Sequence, residues 1–139
     1  MKKVLDFGRA ITEFDGRAIK EQRIDGDGEG AKMVAVELKL KDAVLGYIRR
    51  ADKMGLSSEE QSVAFILGFI IAKAEGRETL TTAQYDVIKK LADRGETTEP
   101  NGEKKPLYGF VMRQQTKKMV GEAENVEEKP AEPLAKPEK

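Results

Sequence analysis

Residues 63–72 (VAFILGFIIA) run for ten positions without a polar side chain, and this constrains the fold more than any other feature of the 139-residue chain. A helix built from them is apolar on every side, whereas a surface helix of a small domain confines its apolar residues to one stripe. The segment is therefore the centre of a core, a subunit interface, or a docking surface for a partner. It is too short to cross a bilayer, which takes roughly 20 apolar residues. Ser57 and Glu60 stand at capping-box spacing, so a helix is expected from about residue 58, with Gly76 closing it. Gly68 at its middle costs about 1 kcal/mol relative to alanine. It flattens one face and admits another backbone.

The surrounding chain reads as α+β. Asp15-Gly16 between residues 11–14 and 17–19 is a hairpin signal of the type I′ kind. A polar loop follows at 25–30, then a strand rich in β-branched residues over 33–38. Helices are expected within 39–53, where Leu38, Leu40, Val44, Leu45 and Ile48 fall at helical spacing, and over 58–75. A third is expected from the Thr81/Gln84 capping box, with a stripe of Tyr85, Val87, Ile88 and Leu91, to Gly95. Residues 96–105 read as a polar loop. Pro106 suits the first turn of a last helix to about Val120, with Leu107, Phe110, Val111 and Gln114 inward. The expectation is a short N-terminal antiparallel hairpin or meander, then a four-helix domain, together spanning 1–121. Residues 122–139 hold six glutamates against three lysines with few large apolar residues. They cannot bury enough to offset their ordering entropy, so a disordered acidic tail is expected there.

Twenty-five basic and 25 acidic residues leave no net charge, which points to no polyanionic partner. Cysteine and histidine are both absent. Disulfides, thiolate metal sites, and the commonest general base and metal ligand are therefore excluded. Asp6, Gly8 and Arg9 break the apolar run that a signal peptide needs after Lys2 and Lys3. A cytoplasmic, non-membrane protein without a cofactor is expected, and a carboxylate-based enzyme ranks third among the functional readings.

Three constellations remain. Asp25, Asp27 and Glu29 resemble the first half of a calcium loop, but Val36 stands where the bidentate glutamate belongs and no helix precedes. A polar inter-strand loop is the favoured reading, with no metal expected. Arg49, Arg50, Arg113, Lys117 and Lys118 lie near expected helix ends. They suit either the helix dipole or, as the alternative function, nucleic-acid binding. Tyr47, Tyr85 and Tyr108 are expected to bury their rings and expose their hydroxyls. The apolar helix has only three shorter helices and a small sheet to cover it. Phe65, Phe69 and Ile70 are therefore the expected anchors for a protein partner or for self-association.

Taken in order, residues 11–20 (ITEFDGRAIK), 38–48 (LKLKDAVLGYI), 57–74, 80–91 (LTTAQYDVIKKL) and 106–114 (PLYGFVMRQ) resemble a group of small proteins from tailed-phage genomes. Those have an early Asp-Gly hairpin followed by helices with similar caps. Lys39 stands where that group tends to have threonine. The resemblance implies a phage origin and a small accessory role, and carries over no functional residues. Tail-assembly chaperones of phages share the acidic Pro/Ala/Glu tail composition. The expected function is a non-enzymatic protein–protein interaction module in tail or head assembly or in host-directed binding. It would act in the host cytoplasm or on the virion.

Overall fold

The computed structural model describes residues 2–26 and 28–126, with Asp25 described by its backbone alone. The fold is α+β. In chain order it runs β1 (Lys2–Asp6), β2 (Lys20–Asp25), β3 (Lys32–Glu37), α1 (Leu40–Arg49), α2 (Ser58–Lys73) and β4 (Arg77–Leu80). It continues with α3 (Thr82–Arg94), β5 (Glu96–Thr98), β6 (Lys104–Pro106), α4 (Phe110–Gly121) and β7 (Glu124–Val126). The N-terminal hairpin is β2–β3, antiparallel from Lys20↔Glu37 to Asp25↔Lys32. The Asp15-Gly16 turn is present but closes a single bridge, Thr12↔Ala18. Of its two residues only Gly16 takes a positive φ, 87°. The turn is therefore a glycine-bulge type and not the expected type I′.

A three-stranded antiparallel sheet, ordered β4-β1-β7, was not evident in the sequence. β1 is its middle strand; Val4 and Leu5 are both buried, and Leu5 joins the hydrophobic core. β7 corrects the expected disorder from residue 122: Glu124–Val126 pairs with the open edge of β1. Residues 127–139, the rest of the expected tail, lie outside the described residues. The stretch expected as a polar loop over 96–105 is likewise a small hairpin, β5–β6, turning at Gly102 with φ 86°.

Both expected capping boxes form. The Ser57 hydroxyl accepts from the Glu60 N–H at 3.1 Å, and the Glu60 carboxylate accepts from the Ser57 N–H at 2.8 Å. Thr81 and Gln84 do the same for α3 at 3.1 and 3.0 Å. α3 ends on Gly95 in the left-handed conformation, as glycine permits. α2 stops earlier than expected, on extended Ala74. Gly76 is not its cap; its carbonyl accepts from the Phe7 N–H at 2.9 Å and ties the chain into the sheet.

Pro106 ends β6, and α4 begins only at Phe110 with Gly109 as its cap. Its inner face is consequently Thr116, Met119 and Val120, while Phe110 and Gln114 are exposed, contrary to expectation. The core lies among the four helices, with α1 and α3 each packed against the other three. Leu40, Val44 and Tyr47 of α1 are sealed from solvent together with Phe7, Ile11, Leu67, Ile88 and Leu91. The apolar helix is therefore not the hub of the fold; the amphipathic α1 and α3 share that place.

Candidate functional site

α2 is anchored through one side. Ala64, Leu67 and Ile71 are its buried residues, at the three- and four-residue spacing of one helix face. The opposite side is apolar and open: Phe65 is 67 % exposed, Ile66 57 % and Phe69 60 %. The two phenyl rings stack edge-to-face with centroids 5.1 Å apart, so they stand as one preformed knob. With about 200 Å² per large side chain, the three present on the order of 350 Å², within the range of functional patches on monomers.

Beside this knob a groove of about 590 Å³ runs between α1 and α2. Leu45, Ile48, Arg49, Ala51 and Asp52 form one wall; Gln61, Ala64, Phe65, Gly68, Phe69 and Ala72 form the floor and the other. Gly68 sits where a side chain would meet the Ile48 methyl at 3.4 Å, an ordinary contact. The glycine is thus tolerant on steric grounds, and its effect is to deepen the groove. Arg49 and Asp52 on the rim have no ion-pair partner among the described residues.

Of the three expected anchors, Phe65 and Phe69 lie on the open face, and Ile70 is half-buried at its flank. Ile66 belongs to that face and was missed. A helix apolar all round offers no asymmetry from which to orient it. The α1 wall carries no signal of its own in the sequence, since Leu45 and Ile48 share the helical spacing of the core residues and Arg49 suits a helix end.

The five candidate cations do not gather. Arg49 lines the groove, whereas Arg50 lines a separate depression with Lys53, Glu99 and Lys105. Arg113 is half-buried with its alkyl chain against Gly95, and Lys118 lies 3.9 Å from a Glu122 carboxylate oxygen. Lys117 is exposed on α4. In the candidate ion loop, Glu29 is exposed in a 3-10 turn, while Asp27 and the Asp25 side chain lie outside what is described. Among the described residues, no cluster of acidic side chains is arranged to hold a metal.

The tyrosines depart from expectation. Tyr85 donates its hydroxyl to the Val120 carbonyl at 2.8 Å, and Tyr108 donates to the Ala43 carbonyl at 2.7 Å. Tyr47 is fully buried, and its hydroxyl has no hydrogen-bond partner among the described residues. Burial pushes the Tyr47 phenol up to about 12 and raises Tyr108 and Tyr85. All three serve the interior, because Tyr47 in α1, Tyr85 in α3 and Tyr108 in the bend before α4 carry their hydroxyls inward with their rings.

No helix among the described residues is long and apolar enough to cross a membrane. Comparison with protein-family models, curated proteins and solved structures finds no match to this chain.

Proposed function

We propose that this protein is a non-enzymatic interaction module that receives an apolar helix of a protein partner on the open face of α2 and in the groove beside it. The observation that carries this reading is the exposure of Phe65, Ile66 and Phe69 on a helix already held by its other side. A small ligand in the groove would leave Ile66 and the outer faces of both rings in water. A helix laid along α2 covers all of them at once, the usual helix-in-groove arrangement. The sequence resemblance to small tailed-phage proteins supports an accessory role in virion assembly or host-directed binding.

The test is the double variant Phe65→Asp/Phe69→Asp. Its thermal unfolding should remain cooperative and close to that of the parent, while protein partners captured by the parent, including its own chain, are lost. A variant that no longer folds would assign this face to the core and remove the reading.

A further inference from the structure

We infer that the helix received by α2 is the α2 of a second copy, packed antiparallel about a two-fold axis near Ile66. This rests on the interface reading of α2 given above. Glu59, Ser62, Ile66, Phe69 and Lys73 recur at alternating three- and four-residue steps on the open side, with Phe65 beside them. That spacing keeps a seam turned toward a neighbouring helix along its whole length.

The two ends of the seam carry opposite charge. Glu59 opens it, and Lys73 closes it about 21 Å along the axis. Both are exposed, and neither has an ion-pair partner among the described residues. The adjacent acid, Glu60, is already engaged by Lys90 at 2.7 Å and by the Ser57 N–H. A seam that is acidic at one end, apolar in the middle and basic at the other end is complementary to itself only when reversed. Antiparallel pairing sets each Glu59 beside Lys73 of the other copy, Ile66 against Ile66, and the helix dipoles in opposition. Parallel pairing would set Glu59 against Glu59.

Shape follows the same symmetry. The Phe65–Phe69 knob and the hole floored by Ala64, Gly68 and Ala72 lie side by side on one surface, so each copy offers what the other needs. With zero net charge, the chain raises no long-range repulsion between copies. The apolar patch is less than half of the roughly 800 Å² that a standard interface takes from each partner, so a weak, reversible association is expected.

Sedimentation of the full chain over a concentration series at low salt tests this. A concentration-dependent dimer is expected. Glu59→Lys and Lys73→Glu should each weaken it about tenfold. An equimolar mixture of the two should recover the parent's association, because the mixed dimer regains both opposite-charge pairs. The chain has no cysteine. Ile66→Cys alone should therefore give a disulfide-linked dimer on mild oxidation, and Glu59→Cys should do so efficiently only when mixed with Lys73→Cys.

A parent chain that stays monomeric to about millimolar concentration, or a mixture no tighter than either variant alone, overturns the antiparallel dimer. The two failures separate. If the parent is monomeric and Phe69→Asp stays folded yet loses captured proteins, the dimer fails and the interface reading stands. If Phe69→Asp unfolds the monomer, both fail.

Discussion

α3 and α2 open with the same device, a reciprocal capping box, at Thr81/Gln84 in one and Ser57/Glu60 in the other. In α3 every large apolar residue is buried: Tyr85, Val87, Ile88, Leu91 and Ala92 face the core, and the remaining surface is polar apart from Ala83 in the first turn. In α2 the fold covers Ala64, Leu67 and Ile71 and leaves Phe65, Ile66 and Phe69 largely in water. Local signals start the two helices equally well. The difference lies in how much apolar surface each carries beyond what one small core can cover. In α3 there is no excess. In α2 the excess is contiguous, rigid and flanked by a groove, which is how an interface differs from scattered exposed apolar residues.

Substitutions can break or sharpen this comparison. Leu67→Ala on the inner face of α2 and Leu91→Ala in α3 should each cost about 2–5 kcal/mol by urea unfolding, since both leave a cavity in a sealed core. Equal losses would show that the inner sides of the two helices are alike. Gly46→Ala should cost about 1–3 kcal/mol. A side chain there would fall 1.9 Å from the Tyr108 hydroxyl and break its bond to the Ala43 carbonyl. Thermal melts of Tyr108→Phe alone and combined with Gly46→Ala would separate the lost hydrogen bond from the crowding.

Ser57→Ala and Thr81→Ala should each cost about 1 kcal/mol, so the caps contribute alike to the two helices. Gly68→Ala should leave stability unchanged or raise it by up to about 1 kcal/mol, while filling the groove floor and weakening association. A loss of more than that in dilute solution would mean that the glycine serves the α1–α2 contact instead.

Alkaline pH tests the buried tyrosines. Burial raises the Tyr47 phenol from 10.0 in the unfolded chain to about 12. The stability this contributes is complete below pH 10 and is lost as pH rises toward about 12, because the unfolded chain ionises first. Absorbance of tyrosinate followed alongside circular dichroism should show ionisation delayed until the fold opens. Ordinary titration near pH 10 in a still-folded protein would place the hydroxyls in solvent.

The parts of this fold that were legible in the sequence are those set within a few residues. The capping boxes, the Gly95 stop and the α3 stripe each depend on neighbours three or four positions away. β1 was not legible. Lys2-Lys3-Val4-Leu5-Asp6 has no pattern of its own and becomes a strand because β4 and β7, far along the chain, supply both edges. Pro106 misled because it suits a helix start equally well as a strand end, and that moved the inner face of α4. At the candidate site the phenylalanines were legible as surplus. Ile66 and the wall from Leu45 and Ile48 were not, because the orientation of a uniformly apolar helix is decided only by what packs against it.

The most direct measurement is the unfolding free energy of Phe69→Asp in urea at low protein concentration, where association does not contribute. A charge on the open face of α2 should change it by less than about 1 kcal/mol relative to the parent. A loss of about 3 kcal/mol or more, the size expected for a buried position, would contradict the claim that this face of α2 is an interface.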